Sequence, residues 1–156
     1  MLLKGSCHCG AVRFALKSAT PYPYMCCYCA ICRKTAGGGG FAVNIMGRAD
    51  TLVVSGKRDL AEYRARLDGR LSAARRNFCR RCGSALWVSD PRWAQWVYPF
   101  ASAIDTKLPQ PRERQHIFLA SKPAWVRLAQ GTKDKRFRAY PREAIIDWHG
   151  KRGLLK

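Results

Sequence analysis

The chain has 156 residues, of which 47% are hydrophobic and 11% aromatic, and eight are cysteines. This apolar content excludes wholesale disorder, and the length favours a single domain over residues 1–156 rather than two ordinary domains. Lysine and arginine number 29 against 10 acidic residues, which gives a formal net charge of +19 and a surface that attracts anions. Nucleic acid, acidic membrane and small carboxylates or phosphates all satisfy that attraction, and a simply solvated basic surface is the alternative interpretation.

The N-terminal segment reaches a polar cysteine cluster before an apolar stretch of signal-peptide length can form, and no apolar run approaches the roughly 18 residues of a membrane span. We therefore expect a cytoplasmic protein with no membrane partner. Thiols are kept reduced in the cytoplasm, so metal binding explains eight closely spaced cysteines better than disulfides do. A redox-active dithiol set is the alternative.

Short runs of alternating apolar residues, bounded by turn-forming residues, predict strands along most of the chain. In chain order these runs are Val12 to Leu16, Phe41 to Ile45, Leu52 to Val54, Ala85 to Val88 and Trp93 to Phe100. Two short helices interrupt the pattern. One covers Ala30 to Ala36 before four glycines, and the other begins near Pro141 and ends at Gly150. The sequence thus predicts a mainly β domain with a short C-terminal helix.

Two cysteine pairs have the spacing of metal-binding knuckles, each followed by a glycine: Cys7-His8-Cys9-Gly10 and Cys79-Arg80-Arg81-Cys82-Gly83. Thiolates two or three positions apart can reach the same ion, and the glycine lets the backbone turn tightly around it. Together the two pairs supply the four thiolates of a tetrahedral zinc. We predict a closed structural zinc site that joins the start of the chain to its middle, and a different pairing of the same knuckles is the alternative.

A third group, in the segment Cys26-Cys27-Tyr28-Cys29-Ala30-Ile31-Cys32, combines the spacings C-x-C and C-x-x-C. Cys27, Cys29 and Cys32 can converge on one ion, and three ligands leave a fourth position open, as catalytic zinc sites do. The alternative is a closed site completed by Cys26 or by a distant histidine. Adjacent residues point to opposite sides of an extended backbone, which disfavours Cys26.

Other catalytic signatures are missing from the sequence. His8, His116 and His149 are each more simply explained as structural residues, and the glycines of 37–40 lack both the P-loop ending and the dinucleotide-binding spacing. We therefore predict that any chemistry belongs to zinc.

The chain resembles the glutathione-dependent formaldehyde-activating enzyme family, which also includes the domain of centromere protein V. The resemblance spans residues 5 to about 128 as a motif-bearing core and rests on four segments in order. They are Gly5-Ser6-Cys7-His8-Cys9-Gly10-Ala11-Val12-Arg13-Phe14, Cys27-Tyr28-Cys29-Ala30-Ile31-Cys32-Arg33-Lys34, Phe78-Cys79-Arg80-Arg81-Cys82-Gly83-Ser84 and His116-Ile117-Phe118.

The resemblance implies a domain of curled, packed antiparallel sheets with zinc knuckles. It also implies a structural zinc and a second, weaker zinc of catalytic character, on the same two sets of cysteines that the spacing indicates. The implied activity is that of a carbon-sulfur lyase, the reversible joining of glutathione and formaldehyde to S-hydroxymethylglutathione or the reaction of a related thiol. Arg33 and Lys34, next to the ligands, are expected to attract the carboxylates of a small anionic thiol such as glutathione.

Three features depart from the family pattern. Tyr28 stands where the family often has histidine, Cys26 is an additional thiol, and Ala101 to Thr106 lacks the usual Gly-Thr-Leu-Asp-Asp form. Two hypotheses of function follow: a zinc-dependent carbon-sulfur lyase with Cys27, Cys29 and Cys32 as its catalytic centre, and a non-catalytic basic zinc module that binds nucleic acid. The open three-thiolate site favours the first, and the net charge favours the second.

Overall fold

The computed structural model describes residues 1–19, 21–128 and 133–155, which form fourteen short strands and two α-helices. The strands are β1 Leu2–Ser6, β2 Arg13–Lys17, β3 Tyr24–Cys27, β4 Ala42–Asn44, β5 Gly47–Arg48, β6 Val53–Ser55, β7 Leu60–Tyr63, β8 Arg66–Leu67, β9 Arg70–Leu71, β10 Arg75–Cys79, β11 Ala85–Ser89, β12 Trp96–Pro99, β13 Arg114–Ile117 and β14 Lys135–Arg136. The helices are α1 Ala30–Ala36 and α2 Ile145–Gly150.

The chain forms two compact units, each assembled from two separate segments. The first unit combines residues 1–18 and 46–108, and the second combines residues 19–45 and 109–156. Neither unit is contiguous in sequence, and the prediction of a single domain over residues 1–156 stays a prediction.

The first unit contains a three-stranded sheet in the order β1-β2-β6 and a five-stranded sheet in the order β5-β12-β11-β10-β7, all with antiparallel pairing. Phe14 of β2 and Trp87 of β11 are buried and meet edge to face, with their ring centroids 5.3 Å apart. The segment Ala101–Thr106 lies along β1, because the amide of Asp105 donates to the carbonyl of Lys4 at 2.8 Å. Strands β8 and β9 form a separate hairpin between β7 and β10.

The second unit contains a four-stranded mixed sheet in the order β14-β13-β3-β4. Strand β3 pairs antiparallel with β4 and parallel with β13, which also pairs parallel with β14. Helix α2 packs through Trp148, which is buried, contacts the ring of Tyr22 and donates its indole N–H to Glu113 at 3.2 Å.

The mainly β fold class is confirmed, with the difference that β13 adds parallel pairing to the antiparallel sheets. Helix α1 has the predicted bounds. Helix α2 begins four residues after Pro141, because Ala144 has an extended backbone and the buried residues that hold the helix are Ile145, Trp148 and His149. No helix within residues 1–19, 21–128 and 133–155 is long and apolar enough to cross a membrane.

Candidate metal centres

The first cysteine cluster, formed by Cys7, Cys9, Cys79 and Cys82, joins two turns with the same design. In the first turn the amide of Gly10 donates to the carbonyl of Cys7 at 2.9 Å, and in the second the amide of Gly83 donates to that of Cys79 at 2.8 Å. Both glycines have positive φ angles, +71° and +73°, which a residue with a side chain adopts only with strain. Each glycine therefore lets its knuckle bring two sulfurs to the same side.

The four sulfurs of this first cluster lie within 4.8 Å of one another. The Sγ atoms of Cys7 and Cys9 are 3.5 Å apart, and those of Cys9 and Cys79 are 3.8 Å apart. Tetrahedral zinc with Zn–S bonds of about 2.3 Å separates its sulfurs by about 3.8 Å. The donor set and its spacing thus fit a four-coordinate zinc.

Hydrogen-bond donors surround these sulfurs. The amide of Val12 donates to Cys7 Sγ at 3.2 Å, and the hydroxyl of Ser84 lies 3.2 Å from Cys82 Sγ. The hydrogen bond from Ser84 lowers the pKa of Cys82 to about 5, which favours the thiolate that a metal requires. Ser84 Oγ also accepts the amide of His8 at 3.1 Å, so this one hydroxyl links the two knuckles.

Asp59 forms hydrogen bonds with two residues of the second knuckle. Its side chain is largely buried and accepts a 2.7 Å hydrogen bond from Arg81, while its carbonyl accepts the amide of Arg80 at 2.8 Å. The Arg81 hydrogen bond lowers the pKa of the Asp59 carboxyl. The Cys79–Cys82 turn is therefore fixed by a charged contact as well as by its own backbone.

The second cysteine cluster, formed by Cys27, Cys29 and Cys32, lies where β3 ends and α1 begins. Cys29 caps the helix, because its sulfur accepts the amide of Cys32 at 3.3 Å. Cys27 and Cys32 are buried, Cys29 is half-buried, and the three sulfurs lie within 4.8 Å of one another. In the described part of the chain, no fourth cysteine, histidine or carboxylate joins this group.

The close spacing of these three sulfurs opposes their joint ionisation. Hydrogen bonds from Cys27 and Cys32 hold the pKa of Cys29 far below its usual value, and the neighbouring Cys29 and Cys32 raise the pKa of Cys27. A bound cation would remove that repulsion and let all three sulfurs be thiolates. The donor chemistry of the second cluster thus fits a soft metal ion with a coordination position left over.

Cys26, the open alternative for a fourth ligand, is not part of this group. It is buried in an apolar cluster with Tyr28 and Val126, and that burial raises the pKa of its thiol to about 11. A neutral thiol in apolar surroundings acts as a small core residue. His116 and His149 also make their contacts elsewhere, with Tyr28 and with the carbonyl of Ile145.

Arg33 and Lys34 lie in α1, directly after the last cysteine of the second cluster. Lys34 is exposed, whereas Arg33 is half-buried and its Nε atom is buried without a hydrogen-bond partner in the described structure. A buried guanidinium nitrogen without a partner is costly unless a ligand satisfies it. Arg33 is therefore available to an anionic group.

The four glycines after α1 divide into two kinds. A Cβ at Gly37 would meet the backbone of Phe41 at 2.6 Å, and one at Gly40 would meet Val126 at 2.3 Å, so packing requires these two. Gly38 and Gly39 face open space. Open space beside the loop of residues 37–40 therefore lies at its two middle glycines.

The sequence analysis missed the surroundings of Tyr28. Its hydroxyl lies 2.9 Å from His116 Nδ1, and His116 Nε2 lies 3.2 Å from a carboxylate oxygen of Asp134. The sequence analysis noted Tyr28 as a departure from the family pattern and His116 as a structural residue in one of the family segments, but it did not connect the two residues. Nothing in the local pattern around Asp134 signals this contact, since it depends on pairing between β13 and β14.

Comparison with known proteins finds a matching family and similar proteins. Residues 2–121 match the model of the family described as glutathione-dependent formaldehyde-activating enzyme. The chain is 57% identical over 154 residues to a Halomonas elongata protein that carries the provisional name glutathione-dependent formaldehyde-activating enzyme, covering 99% of this chain and 98% of that protein. A crystal structure of a Rhodobacter sphaeroides protein is similar at a TM-score of 0.55 and 25% identity, covering 68% of this chain and 91% of that one.

Proposed function

The chain belongs to the glutathione-dependent formaldehyde-activating enzyme family, and we propose that it is a carbon-sulfur lyase that joins glutathione and formaldehyde reversibly. The observation that carries the proposal is the convergence of three sulfurs within 4.8 Å at the start of α1. All eight cysteines are free thiols, which suits a reducing cytoplasm as the site of action.

We assign different roles to the two cysteine clusters. Cys7, Cys9, Cys79 and Cys82 would hold a structural zinc, because four sulfurs at tetrahedral spacing leave no position for a substrate. Cys27, Cys29 and Cys32 would hold the catalytic zinc, which supplies when bound an open position suited to a soft thiolate sulfur. We expect the second ion to bind more weakly, since it has one protein ligand fewer.

The proposed reaction balances without a further reactant. The glutathione sulfur bonds to the carbonyl carbon of formaldehyde, the π bond of the carbonyl breaks, and the proton of the thiol ends on the new hydroxyl oxygen. The protein contributes by binding glutathione in one orientation: the buried Nε of Arg33 and the exposed ammonium of Lys34 would take its carboxylates. The open space beside Gly38 and Gly39 would admit the peptide backbone of the thiol.

Exchange between labelled formaldehyde and S-hydroxymethylglutathione, followed by ¹³C NMR, tests this proposal. Because the adduct also forms without enzyme, the measured quantity is the rate in excess of the protein-free rate. We expect Cys29→Ser to reduce that excess to background, and Cys26→Ser, whose thiol lies outside the sulfur group, to retain most of it. A Cys29→Ser protein as active as the wild type would overturn the assignment of the catalytic centre.

Calorimetry of zinc-loaded protein tests the binding mode separately. Glutathione is expected to bind more tightly than S-methylglutathione, because the methylated compound keeps the carboxylates but offers no thiolate. Equal affinities would show that a bond between the thiolate of glutathione and the metal does not contribute to binding.

Nucleic acid binding by a basic zinc module is the second candidate function. The observation in its favour is the β8–β9 hairpin, which exposes Arg66 and Arg70 beside Leu67 and Leu71. A basic two-stranded ribbon can contact phosphates, and such binding weakens steeply with salt. Tight, salt-dependent binding of RNA or DNA together with no binding of glutathione would make this the better proposal.

A further inference from the structure

A buried chain of hydrogen bonds begins between two of the proposed catalytic ligands. Tyr28, which separates Cys27 from Cys29, is 1% exposed, and its hydroxyl lies 2.9 Å from His116 Nδ1. The side chains of His116 and Asp134 are 3% and 8% exposed, and His116 Nε2 lies 3.2 Å from Asp134 Oδ2. Three polar side chains are thus withdrawn from water, and the first of them stands between Cys27 and Cys29 in the sequence.

The direction of these hydrogen bonds follows from their last member. The Asp134 carboxylate can only accept, so His116 Nε2 carries the proton that is shared with it. In the neutral imidazole Nδ1 is then the acceptor, and the hydroxyl of Tyr28 donates to it. The other carboxylate oxygen of Asp134 accepts the amide of Arg114 at 3.0 Å, which fixes Asp134 to the start of β13.

Tyr28 is held by contacts with residues that do not belong to the sulfur group. Cys27 and Cys29 belong to one sulfur group, while the ring of Tyr28 packs beside Phe41 and Val126 in the apolar cluster. The backbone amide of Tyr28 also donates to the carbonyl of Ile117 at 3.0 Å, next to His116 in β13. Backbone and side chain of the same residue are therefore both anchored to one strand.

This double anchor fixes the orientation of the Cys27-Tyr28-Cys29 segment. The sulfurs of residues on either side of Tyr28 can converge only if the peptide planes between them keep their orientation. Rotation of the segment would require the Tyr28 hydroxyl to leave His116 inside an apolar cluster, where a lost hydrogen bond costs free energy in full.

We propose that Tyr28, His116 and Asp134 are positioning residues that hold Cys27 and Cys29 in the orientation needed to retain the second metal ion. This inference rests on the proposed metal site at Cys27, Cys29 and Cys32. Partners that hydrogen-bond directly to metal ligands commonly change metal affinity about 10- to 100-fold when they are substituted, and we expect the lower end of that range for residues that act through the backbone between two ligands.

Tyr28→Phe removes the hydroxyl and leaves the ring, and Tyr24→Phe is its matched control. Tyr24 begins β3, which ends at Cys27 just before Tyr28, and its hydroxyl donates to the carbonyl of Pro109 at 2.7 Å rather than to His116. Release of zinc to a chromogenic chelator is expected to be about tenfold faster or more for the second equivalent in Tyr28→Phe. The first equivalent, and both equivalents in Tyr24→Phe, are expected to be released at wild-type rates.

Asp134→Asn provides a second variant with a readout that ordinary destabilisation does not produce. The ¹⁵N shifts of His116 are expected to show a proton on Nε2 in the wild type and in Tyr28→Phe. In Asp134→Asn, whose amide can donate, the proton is expected on Nδ1, and the charge-transfer bands of cobalt at the second cluster are expected to shift.

Two different results would distinguish the positioning role of Tyr28 from the metal site on which it rests. A wild-type protein that takes up only one equivalent of metal would refute the second metal site and the positioning role together. Two equivalents in the wild type, with the second released equally fast from Tyr28→Phe and Tyr24→Phe, would refute the positioning role and leave the metal site standing.

Discussion

Cys79 belongs both to a β-strand and to the first cysteine cluster. It is the last residue of β10, it is 0% exposed, and its amide donates to the carbonyl of Ser84 at 2.9 Å. Its sulfur lies 3.8 Å from that of Cys9, 70 residues earlier in the chain. A metal bound here would link β1 to β10 and restrict the unfolded chain as a cross-link does.

Replacing Cys79 with serine is expected to remove one equivalent of tightly bound zinc and to destabilise the first unit severely. Structural zinc contributes roughly 10–16 kcal/mol of apparent binding free energy in small zinc domains, which is as large as the whole unfolding free energy of a typical domain. Metal analysis and thermal unfolding would measure both effects. Unchanged zinc content together with an unchanged melting temperature would contradict the assignment of the first cluster.

At the scale of elements, Asp90 determines how β11 ends. Its carboxylate accepts the amide of Arg92 at 2.9 Å, which caps the 3-10 helix Pro91–Trp93, and also accepts both ends of the Arg92 guanidinium fork, at 2.9 and 2.5 Å. The Asp90 side chain is fully buried, and the hydrogen bond from Arg92 lowers the pKa of its carboxyl. The end of the strand thus depends on an ionised group.

Asp90→Asn is expected to lower the free energy of unfolding by about 1.5–3 kcal/mol at pH 7, because it removes hydrogen bonds to a charged acceptor. The pKa of Asp90 is lower in the folded state, so its contribution is full above the unfolded pKa of about 3.9 and is lost as the pH falls through the folded value. Denaturant unfolding of the wild type should therefore show a loss of stability below about pH 4 that is smaller in the variant.

The control for this prediction is Asp50→Asn. Asp50 accepts the same kind of guanidinium fork, from Arg48, but both side chains are more than half exposed. An exposed pair contributes little to stability because water screens it, so this variant should stay close to the wild type. Equal losses in the two variants would show that burial of Asp90 is not the cause.

The elements that the sequence predicts well are those that neighbouring residues in the chain determine. Helix α1 follows from the turn after Cys29 and the glycines that end it, and β2 follows from alternation between Val12 and Leu16. The parallel pairing of β3 with β13 joins Met25 to Gln115, and no local pattern encodes a register between residues so distant. The same distance hid Asp134 from the sequence analysis, whereas the sulfur groups were predictable because ligand number and spacing limit the combinations.

At the scale of the whole molecule, the net charge of +19 acts on every approaching anion. Such a field raises the association rate of a negatively charged ligand, and dissolved salt screens it over about 10 Å at 0.1 M and about 3 Å at 1 M. The charge therefore bears on how fast a ligand arrives more than on how long it stays.

The association rate of glutathione with the zinc-loaded protein is expected to fall about tenfold between about 10 mM and 500 mM salt, because screening removes the long-range attraction. Stopped-flow measurement with 2-mercaptoethanol, a thiol without carboxylates, supplies the control and should show little change. If the association rates of both thiols fall equally, salt acts on the binding site itself and not on the long-range attraction of the anion.

Because each unit combines two separate segments, the two units can be completed at different times during synthesis. The first unit needs only residues up to 108, whereas the second needs the segment 109–156 to complete the sheet around residues 19–45. Domains fold as their residues emerge from the ribosome, so Cys7, Cys9, Cys79 and Cys82 can gather before β13 exists to receive Tyr28. Metal uptake in the nascent chain would thus proceed in sequence, with the closed cluster filled first and the open cluster formed only when translation is nearly finished.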